Sequence, residues 1–116
     1  MLRLICRAKL HRLTVTEANI AYEGSLTIDD KLLKAADIIP GEQVQVVNLN
    51  NGERFETYVI EGKSDSGVVC LNGGTARLGA PGDKLIVMSY ALVDDKEIKN
   101  FSPKVILVDE RNRIKG

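Results

Sequence analysis

Gly24-Ser25 is the pair in this chain whose types and spacing could make and break a covalent bond. Glycine has no Cβ, so its carbonyl can be approached closely and its backbone can take strained angles. The Ser25 hydroxyl sits one residue downstream, where it can attack the Gly24 carbonyl and convert the amide to an ester. A hydroxyl is a weak nucleophile and needs surroundings that hold and activate it. Three other residues suit work on an anionic substrate. Arg54 offers a planar fork for a carboxylate, and Lys9 a flexible point charge. The Tyr58 phenol, with a reference pKa of about 10, can still donate a proton to a strongly basic carbanion. Taken singly, Gly-Ser and Asn72-Gly73 are ordinary turns, and the charged and phenolic residues ordinary strand positions.

Size and charge narrow the setting. The 116 residues make one domain, 1–116, large enough to bury a real core. Sixteen basic and sixteen acidic residues cancel, which argues against binding a nucleic-acid backbone. Trp is absent, and the few aromatics are too sparse for a base-stacking platform. Cys6 and Cys70 stand apart with no ligand partners, so two reduced thiols and no metal site are expected. Arg3 and Arg7 interrupt the apolar N-terminus, which does not read as a signal peptide, and no run is long enough to span a membrane. A cytoplasmic protein is the expectation. With one His and no Gly-x-x-x-x-Gly-Lys, neither a Ser/His/Asp arrangement nor a phosphate loop competes.

The elements that must position these residues are short. Leu2 to Ala8 reads as a strand, and Lys9 to Thr16 as its continuation or a second one. In extended chain Lys9 and His11 share a face. Glu17 to Ala21 reads as a connector, at most one helical turn. Leu26 to Ile28 is a brief strand. Asp29 can cap a helix to Asp37 whose Leu32, Leu33 and Ala36 share one side, with Pro40-Gly41 as its stop. Gln43 to Leu49 and Arg54 to Glu61 flank Asn50-Asn51-Gly52, the signature of a type I′ hairpin. On the return strand Arg54, Glu56 and Tyr58 face one way, and Phe55, Thr57 and Val59 the other. Val68 to Leu71, Lys84 to Leu92 and Lys104 to Val108 are further strands. Thr75 to Leu78 suggests a helical turn, and Asp94 a cap for another reaching Lys99 or Asn100. From about Asp109 the polar tail is expected to fray.

A repeat joins two of these units. Ala36 to Val46 aligns with Arg77 to Val87, each reading helical turn, Pro-Gly-acid turn, apolar strand. Two pseudo-symmetric halves of a closed, mainly β domain would explain it.

The order Lys9-Leu10-His11-Arg12, Tyr22-Glu23-Gly24-Ser25, Asn51 to Tyr58 and Val69-Cys70-Leu71-Asn72-Gly73 resembles the pyruvoyl-dependent aspartate 1-decarboxylases, in register from Lys9 to about Pro103. The resemblance implies a double-psi β-barrel with a few short helices. It implies self-cleavage between Gly24 and Ser25, with Ser25 becoming a pyruvoyl group by way of an ester and a dehydroalanine. That ketone would form an imine with L-aspartate and release carbon dioxide and β-alanine, for pantothenate and coenzyme A synthesis. By the same resemblance Tyr58 is the proton donor, Thr57 serves processing through the Gly24 carbonyl and contacts substrate, and Lys9 and Arg54 bind substrate carboxylate. Asn72, Gly73, Gly74 and Thr75 form an anion-stabilising loop, and His11, Tyr22 and Ile86 lie near the site. Gly74 and Thr75 stand where small alanines are usual. The family is a homotetramer with sites between subunits, which suits a strand whose Thr57 and Tyr58 point opposite ways. Whether a maturation factor assists is open. A non-catalytic regulatory or interaction barrel is the alternative.

Overall fold

The computed structural model describes residues 1–115. Eight strands form one sheet in the order β2-β6-β3-β5-β4-β7-β1-β8. They are β1 (Leu2–Thr14), β2 (Glu17–Asn19), β3 (Ser25–Asp29), β4 (Gln43–Asn48), β5 (Arg54–Gly62), β6 (Val69–Asn72), β7 (Lys84–Asp94) and β8 (Lys104–Leu107). The sheet curls into a small barrel, because the chain leaving β1 crosses to the far side. There the Val15 N–H bonds the Asp83 carbonyl at 2.9 Å and the Thr16 N–H bonds that of Val69 at 2.8 Å. Alternate residues point inward. Leu10, Leu13, Leu26, Ile28, Val44, Val46, Val59, Leu71, Leu85 and Val87 meet in one core, capped by Leu32, Leu33 and Ala36 of α1 (Asp30–Ala36).

β1 is one continuous strand with irregularities between Cys6 and Ala8 and between His11 and Leu13. The second irregularity places Arg12 at φ 68°. Lys9 and His11 nevertheless share the outer face, between buried Ala8, Leu10 and Leu13.

α1 forms where the apolar spacing places it. The Asp29 carboxylate accepts the Lys31 N–H at 2.9 Å as its N-cap. The helix ends at Ala36 with Asp37 as its C-cap, as expected. Asp37 takes a left-handed φ of 56°, and the Ile38 N–H reaches back to the Leu33 carbonyl at 2.9 Å. This closes the helix before Pro40-Gly41.

The repeat is real in three dimensions. Gly41 and Gly82 adopt φ 88° and 95°, which glycine alone takes easily. The Gly41 N–H bonds the Val59 carbonyl at 2.8 Å, and the Gly82 N–H bonds that of Val15 at 2.8 Å. The acid after each glycine closes the turn, Glu42 N–H to Ile39 O at 3.1 Å and Asp83 N–H to Ala80 O at 3.0 Å. The strands that follow, β4 and β7, pair antiparallel with Val46 opposite Val87, the matching positions of the two copies. On either side the order is mirrored. β3 runs parallel to β5, which pairs antiparallel with β4, while β8 runs parallel to β1, which pairs antiparallel with β7. This two-fold arrangement fits the double-psi β-barrel.

Three local expectations are corrected. Residues 17–19 are a strand, not a helical turn, paired in parallel with β6. The β4–β5 connection is not a type I′ turn. Only Gly52 has positive φ there, and the loop closes through Asn48 N–H to Glu53 O at 2.8 Å and Gly52 N–H to Asn48 O at 2.9 Å. The segment from Asp109 does not fray. Asn112 is buried, and its amide binds the Thr14 and Gly67 carbonyls at 2.8 Å each, while Val108 bridges to Ile114. The two helical turns form near their expected places: 3-10 helices span Gly73–Arg77 and Ile98–Asn100, and the Asp94 carboxylate accepts the Lys96 N–H ahead of the second.

Candidate active site

β3 is held on both sides, by β5 in parallel and β6 antiparallel. Ser25 opens this strand. It is 1% exposed, with φ 109°, a conformation that L residues rarely adopt. Such strain persists only where the surroundings over-determine it. The Ser25 Oγ is buried and has no hydrogen-bond partner among the described residues. Gly24 before it is exposed, and a Cβ there would meet nothing within 4 Å. A buried, uncommitted hydroxyl thus adjoins a glycine whose Cβ side is open.

The loop after β6 packs on this junction. Ser25 pairs with Asn72. Gly73, at φ 58°, lies so close that a Cβ on it would fall 2.8 Å from the Gly24 nitrogen and the Tyr22 carbonyl oxygen. Tyr22 itself is exposed and contributes backbone here. Gly74 has open space about it. Thr75 is buried, and its Oγ1 lies 2.8 Å from the Asn72 carbonyl oxygen and 3.1 Å from that of Ser25.

The Asn72 side chain points away from this contact into a polar cluster that sequence reasoning missed. Its Nδ2 donates to Thr27 Oγ1 at 2.8 Å, and its Oδ1 lies 3.1 Å from the Cys70 thiol. Glu17 Oε2 is 3.4 Å from the same sulfur. Burial, then bonding to Glu17 and its negative charge, push the Cys70 pKa up to about 11. The thiol is therefore protonated at neutral pH and fixes the amide's orientation. The period-two spacing of Cys70 and Asn72 signals that they share a face; the cross-strand position of Thr27 carries no local signal.

Thr57 and Tyr58 lie beside Ser25 in the sheet. Leu26 pairs with Val59, so the residues before them, Ser25 and Tyr58, stand abreast. Tyr58 is exposed and Thr57 half-buried, on opposite faces as the alternation requires. Both border a shallow depression with Gln43 and Glu56. Among the described residues no hydrogen bond joins Thr57 to Gly24. The hydroxyl within reach of the junction is that of Thr75.

The cationic candidates lie elsewhere. Arg54, Val47, Ile86 and His11 form one row across β5, β4, β7 and β1, and Glu56, Gln45, Met88 and Lys9 form the next. The Arg54 guanidinium donates to Gln45 Oε1 at 3.2 Å. Burial and the charges of Lys9 and Arg12 lower the His11 pKa, which favours a neutral imidazole. Lys9 lies on β1, four strands from the strand of Ser25 in the sheet order, and Arg54 precedes Tyr58 by four residues, about 13 Å along β5. Around Ser25 one chain brings together Gly24, Thr57, Tyr58, Asn72, Gly73 and Thr75, while Lys9, His11, Arg54 and Ile86 lie further along the outer face that Tyr58 shares.

Both cysteines are free. Among the described residues no cluster of His, Cys, Asp or Glu could hold a metal ion, and no helix is long and apolar enough to cross a membrane.

Comparison with known proteins gives this geometry a family. The family model described as aspartate decarboxylase matches residues 1–115. A protein of Thermoanaerobacter pseudethanolicus named aspartate 1-decarboxylase is 55% identical, over 97% of this chain and 97% of its own. Proteins of the same name from Acetivibrio thermocellus and Pelotomaculum thermopropionicum are 57% and 56% identical, over 95% and 98% of this chain and 87% and 86% of theirs. With the whole described chain matched and relatives this similar along nearly their full length, the protein belongs to the aspartate decarboxylase family.

Proposed function

We propose that this chain cuts itself between Gly24 and Ser25, converts Ser25 to an N-terminal pyruvoyl group, and then decarboxylates L-aspartate to β-alanine. The observation that carries the reading is the buried, unpartnered Ser25 hydroxyl beside Gly24, where a Cβ would meet nothing within 4 Å. These residues fit the prosthetic group, because its carbon skeleton is that of Ser25 itself. Cleavage would leave residues 1–24 and 25–116 as two chains of the one domain. Once formed, the group would supply a ketone that accepts the electron pair left on the substrate carbon when carbon dioxide departs.

The chain's own residues do the rest. Arg54 and Lys9 bind the two carboxylates of the substrate, Arg54 through its fork and Lys9 as a point charge. Tyr58 returns a proton to the substrate carbon. The Asn72 to Thr75 loop presents backbone N–H groups to developing negative charge. Thr57 serves processing, and His11, Tyr22 and Ile86 border the site. The β-alanine formed suits pantothenate and coenzyme A synthesis in the cytoplasm.

A homotetramer with sites between subunits accommodates the division of these residues. The cations on the outer face of β1 and β5 would serve a Ser25 on a neighbouring copy. The exposed apolar side chains Leu2, Leu4, Leu92 and Tyr58 support burial by another copy. The non-catalytic barrel is not favoured, since the relatives are named for an activity.

Intact-protein mass spectrometry tests the reading. Wild-type protein should yield two chains, the longer with a hydroxylamine-reactive carbonyl, and should form β-alanine from aspartate. Ser25→Ala should stay whole and inert. Wild-type protein that remains one chain after long warm incubation and leaves aspartate untouched would overturn the proposal.

A further inference from the structure

Thr75 has a hydroxyl where the family resemblance gives an alanine, and the structure gives that hydroxyl two acceptors. Its Oγ1 is 2.8 Å from the Asn72 carbonyl oxygen and 3.1 Å from the Ser25 carbonyl oxygen. A hydroxyl has one proton, so it serves one of them at a time. The 3-10 turn carrying it is held against the junction by the close approach of Gly73 to Gly24. Thr75 is 8% exposed, so water competes little for the proton.

We propose that the Thr75 hydroxyl is a switchable donor to the carbonyl oxygen of residue 25, and that it speeds the elimination step of self-cleavage. The proposal rests on the cleavage reading above. After Ser25 Oγ has taken the Gly24 acyl group, the Ser25 nitrogen is a free amine and the two residues are joined by an ester. A water molecule removes the Ser25 Cα proton. The electron pair left behind spreads onto the residue-25 carbonyl oxygen, then forms the Cα–Cβ double bond as the Cβ–Oγ bond breaks. Gly24 departs as a carboxylate. Water then replaces the nitrogen as ammonia and leaves the ketone; no oxidant or reductant is needed.

In the resting chain the nearer acceptor, Asn72 O, holds the Thr75 proton. Charge growing on the Ser25 oxygen draws it across, because hydrogen bonds to ionised acceptors are roughly twice as strong as neutral ones. The interaction therefore strengthens as the Cα proton leaves, which is the condition for lowering a barrier.

The test follows cleavage of freshly purified, uncleaved protein by intact mass, with thermal melts of each variant alongside. Thr75→Val and Thr75→Ala should cleave roughly ten- to a hundredfold more slowly than wild type. They should also accumulate the ester. Hydroxylamine splits that ester to release residues 25–116 with an intact serine, distinct in mass from the pyruvoyl chain, which the same reagent converts to its oxime. Thr75→Ser should recover most of the rate. If Thr75→Val fails to fold, the Thr75→Ala and Thr75→Ser pair decides. Cleavage of Thr75→Ala at the wild-type rate would overturn the proposal. So would Thr75→Ser as slow as Thr75→Ala, or a slow variant that accumulates the amide and no ester. Wild-type protein that never cleaves would defeat the underlying reading and this role together. Wild type that cleaves with unaffected variants would defeat only the role of Thr75.

Discussion

β3 and β8 occupy equivalent places in the two halves of the barrel, and only β3 begins with a buried, unpartnered hydroxyl. Each runs parallel to the strand inside it. β3 has β6 on its other side and is buried at every residue but Thr27, whereas β8 ends the sheet and is exposed at three of its four residues. β3 also ends on a buried carboxylate. Asp29 accepts N–H groups from Lys31, Asp65 and Gly67 at 2.8–2.9 Å and ties the strand to α1 and to the 62–67 loop. A doubled backbone thus offers two similar slots. A hydroxyl stays dry, and a strained φ persists, only in the slot enclosed on both flanks.

The largest break in this comparison should come from Asp29. Asp29→Ala strands three N–H groups and should destabilise the protein by about 4 kcal/mol, read as a fall in denaturation midpoint. Next is the close approach that pins the junction. Gly73→Ala should slow chain cleavage by about a hundredfold, since a shift of roughly 1 Å at a reacting pair costs that much. Gly74→Ala, in open space, should cleave within a few-fold of wild type; equal rates for the two variants would show that the packing on Gly24 does not matter. On the β8 side, Asn112→Ala removes the clamp on Thr14 and Gly67 and should cost about 2 kcal/mol with cleavage unchanged. The smallest effects should sharpen the symmetry. Gly41→Ala and Gly82→Ala have no clash to relieve and similar positive φ, so each should cost about 1 kcal/mol. Clearly unequal losses would mean the two turns are alike in shape but not in burden.

Much of the fold was readable locally. The spacing of Leu32, Leu33 and Ala36 marked α1, the Asn-rich stretch marked a hairpin, and the two Pro-Gly-acid turns marked the repeat. The end of α1 at Asp37 was legible, although its left-handed φ is a conformation that residue type permits without requiring. β2 was missed because three residues carry no periodicity, and its strand state comes from pairing with β6 some fifty positions away. The tail was read as polar and hence loose, while Asn112 turns its polarity into a buried clamp on carbonyls from two distant segments.

At the site the division is the same. Residue types alone established a nucleophile adjoining a glycine, a phenol, and cations suited to carboxylates. The tertiary structure decided that Ser25 is buried and unpartnered, that Thr75 reaches its carbonyl, and that Lys9 and Arg54 lie away from it on other rows of the sheet. Covalent chemistry and periodicity are written in neighbouring letters, whereas dryness, strain and proximity arise from strands that meet across the chain and exist only once the barrel has closed.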